Sequence, residues 1–168
     1  MKTITSTICL LLLVSVAFGQ KGELASNFSL DTIQGQKFNL QDFQGNVILV
    51  NFWSANCKAC KKELPELLRL WDSYRRLGFI VLAVSVDENF DTAKRFIQKH
   101  NIKLVTLHDP TKQTAVAYNV KKIPSSYLID KTGTIRHVQK GFSFDKIKKL
   151  EKQITALLNE PKLSSNQF

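Results

Sequence analysis

The run Asn46-Val47-Ile48-Leu49-Val50-Asn51-Phe52-Trp53 constrains this chain more than any other segment. It is rich in β-branched and aromatic residues, and its apolar positions do not alternate with polar ones. A strand of this kind is buried on both faces, so structure must cover it above and below. A helical stretch follows directly, from about Lys58 to Arg76, and its spacing puts Leu64, Leu67, Leu68 and Trp71 on one face. Pro65 inside that stretch predicts a kink or a break. At the junction stand two cysteines, in Cys57-Lys58-Ala59-Cys60. The carboxyl end of a central strand, where a helix begins, is where α/β folds tend to place their chemistry.

The rest of the chain supplies the cover. Phe28-Ser29-Leu30 and Lys37-Phe38-Asn39-Leu40 alternate apolar and polar residues around Gln34-Gly35, which predicts an N-terminal β-hairpin. Gly78 to Val86 reads as a second buried strand. Asp91 to His100 reads as a helix with Ala93, Phe96 and Ile97 inward. Leu104 to Leu107 suits a short strand and Thr111 to Tyr118 a short helix. Ser125 to Asp130 and Thr134 to Gln139 read as strands joined by a tight turn at Lys131-Thr132-Gly133. Ser143 is placed to cap a last helix from Lys146 to Leu158. The order implies an α/β fold, a central mixed β-sheet flanked by helices.

The expected organisation is a signal peptide at 1–19, one domain at 20–161 and a flexible tail at 162–168. Lys2, the apolar run Ile8 to Phe18 and Ala17-Phe18-Gly19 match a secretory signal cleaved after Gly19. An uncleaved membrane anchor is the alternative, although the run is short for a bilayer. Cys9 lies inside the run and would leave with it, so the exported protein keeps Cys57 and Cys60. Cysteines used for stability normally close longer loops, and a tight pair in an oxidising compartment points to redox chemistry. The formal net charge of +10 is spread over Lys61-Lys62, Arg75-Arg76, Lys121-Lys122 and Lys146-Lys148-Lys149. No basic run is interleaved with stacking aromatics, so a solvated surface is expected rather than a nucleic-acid partner.

A thiol reacts as its thiolate. Cys57 falls where the unpaired N–H groups and dipole of the following helix stabilise an anion, with Lys58, Lys61 and Lys62 nearby. It is therefore expected to be the attacking sulfur, and Cys60, one turn deeper, the resolving one. A zinc site would need two further ligands, and His100, His108 and His137 show no ligand-like spacing. No metal and no cofactor is expected.

The stretch from Asn51 through Cys57-Lys58-Ala59-Cys60-Lys61-Lys62-Glu63-Leu64-Pro65-Glu66-Leu67, together with Lys122-Ile123-Pro124-Ser125-Ser126-Tyr127 to Gly133, resembles the TlpA/ResA-like thioredoxin-fold oxidoreductases. The resemblance covers residues 24–158 in order of elements and implies a thioredoxin-like fold. It implies that Pro124 is a cis-proline contacting the partner chain, that Ile123 offers its backbone to the substrate, and that Glu63 influences cysteine ionisation and proton transfer. A solvent-facing helix glutamate is the other reading of Glu63. Asn51 stands where thioredoxin carries a buried acid, and an amide cannot shuttle a proton. Trp53 is expected in the core and the wall of the substrate pocket. Asn56 replaces the Trp that commonly precedes the first cysteine. Lys58-Ala59 replaces Gly-Pro or Glu-Pro, and Lys58 should make the couple more oxidising while Glu63 opposes it.

The expected function is thus an exported monomeric thiol–disulfide oxidoreductase. It would reduce disulfides of extracytoplasmic, periplasmic proteins, including apocytochromes during haem attachment, and draw electrons from a membrane redox donor. No stable membrane insertion is expected once the signal is cleaved. A peroxiredoxin-like peroxide reductase is a competing reading, but Trp53-Ser54-Ala55-Asn56 lacks the Pro…Thr…Cys arrangement. A Cu(I)-binding module is another, weakened because Met1 is the only methionine.

Overall fold

The computed structural model describes residues 20–161, so the signal and tail expectations lie outside the described residues. Among the described residues seven strands and four α-helices follow one another. They are β1 (Ser29–Thr32), β2 (Lys37–Asn39), β3 (Val47–Trp53), α1 (Lys58–Tyr74), β4 (Phe79–Ser85), α2 (Phe90–Lys99) and β5 (Val105–His108). Then come α3 (Gln113–Ala117), β6 (Ser125–Ile129), β7 (Ile135–Lys140) and α4 (Phe144–Asn159). The strands form one mixed sheet in the order β2-β1-β5-β4-β3-β6-β7. β3 runs parallel to β4, from Val47 opposite Phe79 to Trp53 opposite Ser85, and antiparallel to β6. The predicted hairpin exists, and β1 adds antiparallel to β5 at the sheet's edge.

All seven residues of β3 are buried. Successive side chains of a strand point to opposite faces, and this divides the core in two. Val47, Leu49 and Trp53 pack with Leu64, Leu67, Leu70, Phe96, Ile147 and Ile154 on the side of α1, α2 and α4. Ile48, Val50 and Phe52 pack with Phe38, Leu107, Tyr118 and Tyr127 on the other side. Asn51 shares the parity of Leu49 and Trp53, and so lies on the α1 side.

Two expectations for α1 change: Pro65 marks no break, and the buried face is shifted in phase. The helix runs unbroken through Pro65. Proline removes one N–H, which leaves the Lys61 carbonyl without its intrahelical donor. Both residues are exposed, so solvent can satisfy that carbonyl. The buried stripe is Cys60, Glu63, Leu64, Leu67 and Leu70, while Leu68 and Trp71 are only partly buried. The apolar residues alone set the wrong phase, because a charged residue belongs to the stripe. α4 also starts earlier than expected, at Phe144, with Ser143 Oγ accepting the Lys146 N–H at 3.3 Å.

This phase is testable by truncation. Leu70→Ala should lower stability by about 2–5 kcal/mol, the range for a fully buried leucine, and Leu68→Ala by clearly less. Urea unfolding of the two variants measures the ranking, and an equal or reversed cost contradicts the buried stripe.

Candidate active site

The loop from Ser54 to Asn56 joins β3 to α1, and Asp87, just past β4, holds it. The Asp87 carboxylate accepts hydrogen bonds from Ser54 Oγ (2.6 Å), the Ala55 N–H (2.9 Å) and Ser85 Oγ (2.9 Å). The Val86 N–H donates to the Trp53 carbonyl at 3.0 Å, which carries the β3–β4 pairing up to the loop. Asp87 is a residue that sequence reasoning missed. Its only signal was Ser85-x-Asp87 at the end of a buried strand.

Cys57 is the N-cap of α1, with extended backbone, and its Sγ accepts the N–H of Cys60 at 3.1 Å. Cys57 and Cys60 form a disulfide. Cys60 is fully buried, whereas Cys57 keeps part of its surface exposed. Lys58, Lys61 and Lys62 are exposed around the first turn, which contains no acidic residue. The helix N-terminus, with its positive partial charge and free N–H groups, therefore faces the sulfur of the partly exposed Cys57. Among the described residues no group of three or more His, Cys, Asp or Glu side chains is gathered as a metal site would need.

Glu63 lies one helical turn after Cys60 and is 1% exposed, which removes the solvent-facing reading. Asn51 Nδ2 donates to Glu63 Oε2 at 2.8 Å and to Ser126 Oγ at 2.9 Å. Burial pushes the Glu63 carboxyl up to about 7. The amides of Asn51 and Gln139 and the charge of Lys146 oppose that rise without cancelling it. A carboxyl of this kind changes charge near neutral pH and can take or give a proton there.

The Ile123–Pro124 peptide bond is cis, as the resemblance implies. It precedes β6 directly, and the Pro124 carbonyl accepts the Gly141 N–H at 2.8 Å, which ties it to the end of β7. Pro124 is buried, while Ile123 is partly exposed. Ile123 and Cys57 rest on the same apolar layer. Trp53 is fully buried, with its ring 5.5 Å from that of Phe96, and forms the floor beneath the loop.

Comparison with known proteins agrees with this geometry. Residues 21–138 match the model of the AhpC/TSA family. The chain is 33% identical over 120 residues to the thiol-disulfide oxidoreductase ResA of Bacillus thuringiensis, covering 71% of this chain and 69% of the relative. It is 32% identical to ResA of Geobacillus kaustophilus over the same shares. A crystal structure from Chlorobium tepidum, provisionally assigned as a thiol:disulfide interchange protein DsbE, superposes with a TM-score of 0.80 at 32% identity. It covers 83% of this chain and 99% of that one. The thioredoxin domain of a thiol-disulfide oxidoreductase from Bacteroides vulgatus gives a TM-score of 0.73 at 25% identity, over 80% and 98% of the two chains.

The burial of Glu63 has a pH signature in stability. Its folded-state pKa is raised from 4.5 to about 7, so the folded protein holds this proton more tightly than the unfolded chain does. The resulting stability is fully present below the unfolded pKa and is lost as pH rises to the folded one. The loss is about 3 kcal/mol, since each tenfold change in proton affinity is worth about 1.36 kcal/mol. Glu63→Gln keeps the volume and an acceptor for Asn51 but cannot ionise. Urea unfolding should find the variant more stable than the wild type above neutral pH, the gap closing toward acid. Parallel pH curves for the two proteins contradict a buried, proton-holding Glu63.

Proposed function

This chain belongs to the AhpC/TSA family and, within it, to the ResA-like thiol–disulfide oxidoreductases, and from that premise we propose that it is a disulfide reductase of extracytoplasmic proteins. The observation that carries the reading is the sulfur of the partly exposed Cys57, held at the N-terminus of α1 in a disulfide with the buried Cys60. In the reduced protein the Cys57 thiolate attacks one sulfur of a client disulfide. The new bond is a mixed disulfide, and the displaced client sulfur leaves as a thiolate and is protonated. Cys60 then loses its proton and attacks the Cys57 sulfur, which releases the second client thiolate. Two electrons pass to the client, and Cys57–Cys60 is left oxidised.

Glu63 receives the Cys60 proton in the second step. The reading is supported by its place one turn from Cys60 and by a pKa of about 7. The backbone of Ile123 and the ring of Pro124 bind the extended client chain beside Cys57. Trp53 supports that surface from below. A dithiol donor in the membrane returns the protein to its reduced form. The N-terminal 19 residues direct export and are removed, residues 20–161 act as a monomeric domain, and apocytochromes awaiting haem are among the clients.

The trapping experiment tests the exchange chemistry. Cys60→Ser, incubated with an extracytoplasmic extract, should accumulate mixed disulfides through Cys57 that a reductant dissolves, and Cys57→Ser,Cys60→Ser should accumulate none. Absence of adducts, together with stoichiometric Cu(I) binding by the wild type, would instead make this a thiol-based metal-binding module.

A further inference from the structure

Among the described residues three buried polar side-chain atoms have no hydrogen-bond partner: Asn51 Oδ1, Trp53 Nε1 and Gln139 Nε2. Two of the three belong to one cross-strand row. Asn51 on β3 stands opposite Ser126 on β6, and Ser126 stands opposite Gln139 on β7. Residues directly opposite share a face of the sheet, with Cβ atoms about 5 Å apart. A polar line therefore crosses three strands beneath Glu63.

The donors of this line are unevenly used. Asn51 spends both N–H bonds, one on Glu63 Oε2 and one on Ser126 Oγ. At the far end Gln139 keeps a buried N–H that nothing accepts. An unsatisfied buried donor is destabilising, so its persistence needs a reason. The second oxygen of Glu63, Oε1, accepts no hydrogen bond among the described residues. The Gln139 amide is nevertheless close enough to lower the proton affinity of Glu63.

We infer that Gln139 is a positioning residue for the Glu63 proton: its side-chain N–H closes on the carboxylate when Glu63 ionises, and so stabilises the charged form. The donor meets no acceptor at hydrogen-bond distance, and an ionised carboxylate would supply one. The inference rests on Glu63 taking the Cys60 proton, and it adds the group that governs how readily that proton is released. The groups facing Glu63 are few. β3, β6 and β7 offer the neutral Asn51, Ser126 and Gln139. α4 contributes the charge of Lys146, which also favours the ionised form. On α1 itself Cys60 becomes titratable once the disulfide opens. Gln139 further lines an open cleft of about 310 Å³ with Lys140, Lys146 and Lys149. It thus stands between the buried carboxyl and that cleft, through which the proton can leave.

The test reads Glu63 directly, by NMR titration of protein carrying 13C-labelled glutamate side chains. The oxidised wild type should titrate near 7. Gln139→Leu removes the donor, so the midpoint should move up. Gln139→Lys keeps a donor at the site and adds charge, so the midpoint should fall to the wild-type value or below. Cooperative unfolding of each variant checks that it is folded. Midpoints unchanged in both variants overturn the inference. The pH profile of disulfide exchange separates this from the parent reading. If the midpoints move as expected but the exchange profile does not follow, Gln139 tunes Glu63 and Glu63 is not the acceptor of the Cys60 proton. If the midpoints stay fixed while Glu63→Gln flattens the profile, Gln139 is discarded and the role of Glu63 stands.

Discussion

The Cys57 sulfur accepts the first free N–H it meets in α1, that of Cys60, and this contact joins the chemistry to the fold. A helix must satisfy or expose its first N–H groups, and a side chain at the N-cap usually does so through oxygen. Here the cap is a sulfur of the disulfide itself. When the disulfide opens, the same N–H points at a thiolate, and a hydrogen bond to an ion is stronger than one to a neutral acceptor. The cap can hold this position because its supports are rigid. β3 is buried along its whole length, β4 pairs with it to the last residue, and Asp87 pins the intervening loop with hydrogen bonds from Ser54 and Ala55.

The second constraint is the buried carboxyl. Glu63 takes a place in the apolar stripe of α1 that a leucine would fill at less cost. Desolvation shifts it toward its neutral form, and the Asn51 hydrogen bond returns part of what burial removes. The identity of residue 51 matters for this balance. An aspartate there would place a second acid beside Glu63, and two carboxyls so close would not both ionise. Asparagine leaves one titratable oxygen pair in the site and gives it a donor, so the proton has a single owner.

Much of this arrangement was legible in the sequence. The unalternating run 46–53, the cysteines directly after it and Ile123-Pro124 before the next strand identify the fold and the two sides of the site. These signals are local, or repeat with the period of one element. The phase of α1 was not legible, because Glu63 counts as polar in any apolar pattern although it is buried at 1% exposure. The partners of the site were hidden for a different reason. Asp87 meets Ser54 and Ala55 only through the parallel register of β3 with β4, and Gln139 meets the Glu63 pocket only through two successive antiparallel registers. Contacts that depend on register across several strands leave no periodic trace in any one of them.

Taken together, the geometry tunes the two cysteines by different means. Lys58, Lys61 and Lys62 are exposed, so water and salt screen their effect, and their help to Cys57 is small beside that of the helix terminus. Cys60 is buried one turn from a buried carboxyl, where the local dielectric is low and charges act strongly. An ionised Glu63 disfavours a thiolate at Cys60 yet, in the proposed role, is the base that takes its proton. A neutral Glu63 permits the thiolate but has no capacity for the proton. A carboxyl that titrates near 7 passes between these states at ordinary pH, and in the proposed role it does so by taking the Cys60 proton. In the proposed exchange that transfer keeps a single negative charge in the buried interior, passed from Glu63 to Cys60, until Cys60 attacks and the charge leaves with the client thiolate.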